Sequence, residues 1–160
     1  MSGPSRRGLL KNAAKVAAVA AGGVIAMAPA EAQTTGKLEK KSYPANKNVD
    51  PAAAPPLFSG AVSYGNLLFL AGVGAHFTGT IEEHTKHVLD ELEKNLIGAG
   101  SSMEKVLKVN VYLSDMTNFA RMNSVYAGRW GEVPPARTTV AAAGIPGGDS
   151  LVEIDCIASI

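Results

Sequence analysis

The sequence predicts an α+β domain of two layers, in which two helices pack on one mixed β-sheet. Two β-favouring runs flank a Gly65-Asn66 turn, and two segments carry apolar residues at helical spacing. Runs with strand-like alternation follow each helical segment. In chain order the elements read ββ-α-β-α-ββ, and residues 38–43 are compatible with a further short strand.

The first strand pair and the first helix have clear boundary signals. A strand at 57–64 and an apolar strand at 67–72 are joined by Gly65-Asn66, a two-residue hairpin turn. Thr80, followed three residues later by Glu83, has capping-box spacing and predicts a helix start. Two glycines at 98 and 100 predict its end. The apolar stripe of this helix consists of Ile81, Val88, Leu89, Leu92 and Leu96.

The second half contains a strand, a helix and two further strands. In a strand at 105–113, alternation places Leu107 on the same face as Val109. Asp115 or Thr117 is expected to cap the second helix. The core face of that helix is expected to consist of Phe119, Met122, Tyr126 and Trp130. Strands at 137–142 and 151–157 flank a turn and are expected to pair with each other.

The first 32 residues have the features of a twin-arginine signal peptide. Residues 5–11 hold two arginines, two leucines and a lysine, and an Ala-x-Ala cleavage site occupies 30–32. The apolar run at 16–28 has 13 residues, fewer than the ~20 that span a bilayer. We therefore expect a periplasmic mature chain that begins at Gln33 and has no membrane association. An uncleaved membrane anchor is the alternative.

The mature chain is expected to form one domain. It would contain 128 residues, with a Pro- and Ala-rich segment and loop at 33–56 and the folded domain at 57–160. Its 11 Lys plus Arg and 13 Asp plus Glu give a net charge of −2. This balance argues against nucleic acid and anionic membranes as partners. The single cysteine, Cys156, lies in an apolar run, which favours a buried and unreactive thiol.

Arg137 is the first candidate for binding chemistry. It follows Pro134-Pro135, which fix the backbone, and precedes the β-favouring run at 138–140. A guanidinium held at a rigid strand edge is suited to a bidentate grip on a planar carboxylate. No Lys or Arg follows it in the sequence, which favours one discrete carboxylate over a polyanion. An arginine paired with a neighbouring Glu or Asp is the alternative.

Glu153 is the second candidate, because it interrupts an apolar strand. A partly desolvated carboxylate there is a usable base or water-holder. An edge-exposed or arginine-paired glutamate is the alternative. Asp155 shares its face, and nothing in the sequence requires Asn123 on the second helix to be buried.

The sequence favours no metal site. His84 and His87 lie three residues apart on the first helix, a conceivable pair of metal ligands. They flank the buried stripe, so they are interpreted as surface residues of the helix. No zinc, dinucleotide or phosphate-loop spacing is present in the sequence.

Six motifs, in the same order and without large gaps, resemble the Rid family, the reactive intermediate deaminases also called YjgF proteins. The similarity covers about residues 55–158. The motifs lie at residues 64–72 (YGNLLFLAG), 98–102 (GAGSS), 111–116 (VYLSDM), 122–126 (MNSVY), 135–140 (PARTTV) and 151–155 (LVEID).

The resemblance implies a chorismate-mutase-like fold, assembled as a homotrimer with ligand clefts between subunits. It implies hydrolysis of enamine or imine intermediates, such as 2-aminoacrylate, to a 2-keto acid and ammonia, without cofactor or metal. The family's carboxylate-binding arginine falls on Arg137 and its water-positioning glutamate on Glu153. Backbone groups at Gly72 and Val73 are expected to line the cleft.

Several positions depart from the family pattern. A tyrosine of active members falls at Phe58, the serine and glutamine of a Ser-Gly-Gln segment fall at Ala71 and Val73, and a cysteine falls at Thr139. The leading hypothesis is a deaminase that hydrolyses small 2-imino acids, with a 2-imino or 2-keto acid as its small-molecule partner. Phe58, Asn123 and Thr139 are expected to be among its binding residues. A non-catalytic trimeric protein that binds small carboxylates is the second hypothesis. Ribonuclease activity, a third, is disfavoured by the net charge.

Overall fold

A computed structural model of the chain describes residues 38–43, 54 and 56–160. The predicted export signal and most of the 33–56 segment lie outside these residues. The described strands are β1 Lys40–Tyr43, β2 Ala61–Tyr64, β3 Leu67–Gly74, β4 Val106–Leu113, β5 Ala136–Ala141 and β6 Val152–Ser159. The described α-helices are α1 Ile81–Gly98 and α2 Phe119–Tyr126, with short 3₁₀ turns at Met103–Lys105 and Met116–Asn118.

The strands form one sheet in the order β1-β2-β3-β6-β4-β5. Only β4 and β5 pair in parallel among these neighbours, and the other pairs are antiparallel. Helix α1 packs on β3 and β6, and α2 packs beside α1. The predicted two-layer α+β fold with a mixed sheet is confirmed.

The local signals for the hairpin and the first helix are also confirmed. Tyr64 pairs with Leu67 across the two-residue turn, and Gly65 has a φ of 63°, which favours glycine. The Thr80 side chain accepts a hydrogen bond from the backbone N–H of Glu83, whose own carboxylate accepts from the backbone N–H of Thr80. Helix α1 therefore starts where the capping box predicts.

The predicted pairing of the last two strands is wrong. Strand β6 lies between β3 and β4, whereas β5 lies at the edge of the sheet beside β4. The sequence β4–α2–β5 is a parallel crossover unit, and such a unit places its two strands side by side. The alternating burial of β6 shows that one of its faces packs into the core.

Two boundaries and one face assignment also differ from the prediction. Strand β2 begins only at Ala61, and α2 ends at Tyr126, so Trp130 is buried without belonging to the helix. Asp115 accepts from the backbone N–H of Thr117 and caps the 3₁₀ turn that leads into α2. The pairing of β4 with β6 shifts after Val106, and this irregularity leaves Leu107 52% exposed instead of buried beside Val109.

His84 is buried, contrary to the prediction that both helix histidines lie on the surface. It is three residues after Ile81 and four before Val88, so it belongs to the buried stripe of α1. Its Nδ1 accepts a 3.1 Å hydrogen bond from the backbone N–H of Leu151, which ties α1 to the start of β6. His87 is exposed and packs edge-on against Phe77.

The two faces of the sheet are unlike. Apolar residues from both helices and from the four inner strands form one core on the helix-covered face. This core includes Cys156, whose burial was predicted. Burial raises the pKa of the Cys156 thiol to about 12, in keeping with an unreactive group. The opposite face leaves several large side chains exposed, namely Tyr64, Leu67, Phe69 and Val140. No helix in the described part of the chain is long and apolar enough to span a bilayer.

Candidate functional site

Arg137 lies on the edge strand β5 and reaches back over helix α2. In the parallel register it is level with Val109, a fully buried residue of β4, so its side chain starts on the helix-covered face. Its Nη1 donates a 2.8 Å hydrogen bond to Oδ1 of Asn123. Asn123 therefore has a structural role that the sequence did not reveal.

Two aromatic rings complete the support of this guanidinium. The Arg137 Cζ lies 4.6 Å from the ring centre of Tyr126 and 5.6 Å from that of Phe119. Tyr126 in turn packs against Trp130, with ring centres 5.1 Å apart. Phe119, Asn123 and Tyr126 are spaced i, i+4 and i+7, so one stripe of α2 holds the guanidinium.

The charge of Arg137 is not neutralised by a carboxylate within 4.0 Å among the described residues. The ion pairs of that part of the chain involve other cations, including Arg121 with Glu82 and Arg129 with both Asp90 and Glu93. The described residues therefore do not show the alternative, in which Arg137 forms an ion pair with a neighbouring Glu or Asp. The guanidinium is held by neutral groups and keeps its capacity to bind an anion.

Glu153 lies on the other side of the sheet, in a gap that a glycine leaves open. In the antiparallel registers it is level with Tyr112 of β4 and Gly74 of β3. The pairing of β3 with β6 shifts between Leu70 and Val73, and a Cβ atom added at Gly72 would collide with Glu153 Oε1. Only glycine at this position leaves room for the carboxylate in its observed place.

A cavity of about 220 Å³ adjoins Glu153. Its walls come from β4, β6 and the chain after β5, and it is lined by Tyr112, Ala142, Gly144, Ile145, Pro146, Glu153 and Asp155.

Asp155 accepts hydrogen bonds from Asn110 Nδ2 at 2.8 Å and from the Tyr112 hydroxyl at 2.9 Å. The bond to Asp155 raises the pKa of Tyr112, so this phenol stays protonated at neutral pH. Asp155 is held by two donors, whereas no hydrogen bond to the Glu153 side chain is found in the described part of the chain.

Arg137 and Glu153 do not face the same space within one chain. Arg137 contacts α2 on the helix-covered face, whereas Glu153 alternates with the buried Val152 and Ile154 and therefore projects from the opposite face. Strand β4 also separates their two strands. A small ligand therefore cannot touch both groups of one chain.

The other candidate residues divide between these two places. Thr139 is two residues after Arg137 on the same face of β5, and its Oγ1 is buried without a hydrogen-bond partner among the described residues. Val73 packs against the core, so only its backbone is available near Gly72. Phe58 precedes β2 and is 71% exposed. No group of three or more His, Cys, Asp or Glu residues in the described ranges is arranged to hold a metal ion.

Sequence reasoning missed Phe119 and Tyr126 as neighbours of Arg137, because it assigned both to the core. Their spacing with Asn123 was a usable signal, since the three residues recur on one side of a helix. It also missed the Asn110–Asp155–Tyr112 network. Alternation along β4 and β6 would have found that network only if the two strands were known to be adjacent.

The Gly72→Ala variant is expected to lower any turnover that depends on Glu153 by about 10- to 100-fold. The added methyl group occupies the position of the carboxylate, and displacement of a catalytic group by about 1 Å can cost 10²-fold. Gly98→Ala is the matched control, because its added Cβ meets no atom within 4 Å apart from its chain neighbours and the backbone of its own helix. Steady-state rates of the two variants provide the measurement, and unchanged turnover in Gly72→Ala would contradict the placement of Glu153.

Comparison with known proteins relates this geometry to a family. The model of the family described as Endoribonuclease L-PSP matches residues 45–160. A RutC family protein of Pyrococcus horikoshii is 43% identical over 108 residues, which cover 63% of this chain and 85% of that protein. Reactive Intermediate Deaminase A, a chloroplast protein of Arabidopsis thaliana, is 32% identical over 117 residues, which cover 69% of this chain and 62% of that protein.

Solved structures show the same similarity in three dimensions. The crystal structure of RidA from the Antarctic bacterium Psychrobacter sp. superimposes with a TM-score of 0.62 at 31% sequence identity. The match covers 68% of this chain and 92% of that chain. The fold and the sequence therefore point to the same group of proteins.

Proposed function

Because this chain belongs to the endoribonuclease L-PSP family, also known as the Rid or YjgF family, we propose that it hydrolyses small 2-imino acids to 2-keto acids and ammonia. One observation carries the proposal. Arg137 is rigidly held by Asn123 and two aromatic rings, and no carboxylate of the described residues neutralises it. Such a guanidinium is suited to gripping the carboxylate of a small acid. A relative named as a reactive intermediate deaminase supports the choice of reaction.

We propose that the working site forms between subunits of a homotrimer. Arg137 of one copy would grip the substrate carboxylate while Glu153 of a second copy faces the imine carbon. The placement of the two residues on opposite faces of one sheet supports this arrangement. The exposed apolar side chains on the face of Glu153 support it too, because a second copy would remove them from water.

In this site Glu153 acts as the general base. It takes a proton from a water molecule while the water oxygen bonds to the carbon of the protonated imine (C=NH₂⁺), and the C=N bond becomes a C–N single bond. The resulting tetrahedral carbon bears a hydroxyl and an amino group. Glu153 then gives this proton to the nitrogen, and the C–N bond breaks to release ammonia. The hydroxyl passes its own proton to the Glu153 carboxylate as it becomes the keto oxygen, and Glu153 loses that proton to solvent. The charge of Arg137 favours attack on the neighbouring carbon by withdrawing electron density.

The assay that tests this proposal generates imines from a panel of amino acids with an amino-acid oxidase and follows the release of ammonia and keto acid. The unmodified protein is expected to accelerate the release, and Arg137→Ala is expected to abolish the acceleration. Binding of a keto acid without any acceleration would favour the second hypothesis, a binding protein for small carboxylates. The apolar Phe58 and Ala71 are the sequence features that agree with that hypothesis.

The name of the matched family does not by itself argue for RNA cleavage here. A mature chain with a net charge of −2 lacks the electrostatic attraction for phosphate backbones that dominates nucleic-acid binding. The periplasm remains the proposed location, supported by the motif at 5–11 and the cleavage site at 30–32.

The mature domain is expected to be a trimer in solution at micromolar concentration. Light scattering coupled to size exclusion measures the mass directly. Phe69→Glu, which places a charge on the exposed sheet face, is expected to yield monomers without turnover, since each monomer holds only half of the site. A monomeric unmodified protein that retains turnover would contradict the shared site.

A further inference from the structure

Two hydroxyl groups beside Arg137 have no hydrogen-bond partner among the described residues. They are the phenol of Tyr126 and Oγ1 of Thr139, and both oxygen atoms are buried. The whole Tyr126 residue is only 8% exposed. Buried polar groups are normally hydrogen-bonded, because an unpaired one costs free energy. The fold of the free chain therefore leaves both groups unexplained.

The two hydroxyls share their surroundings with one cation. The ring of Tyr126 lies 4.6 Å from the Arg137 Cζ, and Thr139 shares a strand face with Arg137. Burial raises the pKa of Tyr126 to about 12, and the charge of Arg137 together with a contact between its guanidinium and the phenol oxygen only partly opposes this. That contact lacks the geometry of a hydrogen bond, so the phenol oxygen counts as unpartnered. The phenol therefore keeps its proton at neutral pH and is available as a donor.

A carboxylate matches this set of donors. It has two oxygens with about four lone-pair sites, and a bidentate guanidinium uses two of them. Two lone-pair sites of the carboxylate remain, and the two unpaired hydroxyls can donate hydrogen bonds to them. A neutral amide offers one carbonyl oxygen and would place its NH₂ group against donors.

We propose that Tyr126 is a carboxylate-binding residue whose hydroxyl donates to the acid group held by Arg137, with Thr139 donating alongside it. The identity of the ligand as a 2-imino or 2-keto acid rests on the proposed function. The role of Tyr126 rests on the buried hydroxyl and its contact with the guanidinium. It makes the site selective for an acid over the corresponding amide.

The proposal predicts opposite effects on the free and the bound protein. The hydroxyl makes no hydrogen bond of normal geometry in the free chain, so Tyr126→Phe removes only its contact with the guanidinium and keeps the ring under Arg137. The Tm without ligand is expected to stay the same or rise. The affinity for an acid is expected to fall about tenfold or more, the effect of losing a hydrogen bond to a charged group.

The experiment titrates the purified protein with pyruvate by calorimetry and measures Tm without ligand. Tyr126→Phe is compared with the unmodified protein, and Thr139→Val provides a second, smaller change in the same site. The matched control is Tyr43→Phe, because the Tyr43 hydroxyl bonds Ser63 and because Tyr43 lies in β1, the edge strand farthest from β5. Pyruvamide tests selectivity in the unmodified protein, which is expected to bind it much more weakly than pyruvate.

Each result separates this proposal from the proposed function. Weaker pyruvate binding by Tyr126→Phe and Thr139→Val, with Tm retained and Tyr43→Phe unaffected, supports the assignment even if the unmodified protein releases no ammonia. Unchanged pyruvate affinity in Tyr126→Phe overturns it, whether or not turnover persists. A lower Tm with unchanged affinity would identify a structural hydroxyl. If the unmodified protein does not bind pyruvate, or binds pyruvamide equally well, both the acid site and the role of Tyr126 are overturned.

Discussion

Replacing Glu153 with Gln is expected to lower the turnover of 2-imino acids by about 10²- to 10⁴-fold, with little change in keto-acid affinity. The amide nearly preserves the shape that fits beside Gly72 but cannot accept a proton from water. Because the proposed role of Glu153 is at the reacting carbon and that of Arg137 is to hold the carboxylate, the loss should appear in kcat. Ammonia release under saturating substrate measures kcat, and calorimetry with pyruvate measures the affinity.

Asp155→Asn is the matched control for Glu153→Gln. It replaces a carboxylate that lies two residues from Glu153 on the same face of β6. The oxygens of this carboxylate already accept hydrogen bonds from Asn110 and Tyr112. Turnover within a few-fold of the unmodified protein is expected. Equal losses in both variants would show that the negative charge of the face matters and that Glu153 has no special role as a base. No turnover in any form, with pyruvate still bound, would identify a binding protein.

The local signals in this sequence predicted the structure well. The turn at Gly65-Asn66 and the capping box from Thr80 to Glu83 each depend on a few adjacent residues. Their hydrogen bonds are made within the segment, so the sequence specifies them without knowledge of the rest of the fold. The buried stripe of α1 follows the same logic, although His84 was interpreted as a surface residue that flanks it.

The order of the strands was not predictable from such signals. Alternation shows which residues share a face of one strand, but it does not show which strands are neighbours. Adjacent position in the sequence suggested that β5 pairs with β6. The structure instead places β6 between β3 and β4, since the crossover through α2 fixes β5 beside β4.

This topological error concealed the most informative feature of the candidate site. With β5 and β6 paired, Arg137 and Glu153 would lie near one another in a single chain. In the observed order they project from opposite faces of the sheet. The proposed site between two copies of the chain, which the resemblance had only implied, is thus supported by a geometric argument.

The Arg137→Lys variant is expected to fold normally and to bind pyruvate about 10- to 150-fold more weakly than the unmodified protein. Lysine keeps the positive charge and can still donate to Asn123, so the edge strand should retain its place. It lacks the planar fork that makes two parallel hydrogen bonds with one carboxylate. Losing one charge-assisted hydrogen bond costs ~1.5–3 kcal/mol, which corresponds to this range of affinity. A flexible ammonium also loses the stacking on the Tyr126 ring.

The control for Arg137→Lys is the same substitution at Arg121 on helix α2. Arg121 donates two 2.7 Å hydrogen bonds to Glu82 and has no part in the site, so Arg121→Lys changes a bidentate pair without touching the ligand. Its pyruvate affinity should equal that of the unmodified protein. Its Tm should change only slightly, because an exposed ion pair contributes little to the free energy of unfolding. If Arg137→Lys also binds pyruvate and turns over imines as the unmodified protein does, the guanidinium serves only to fasten β5 to α2. The carboxylate grip must then be sought elsewhere in the chain.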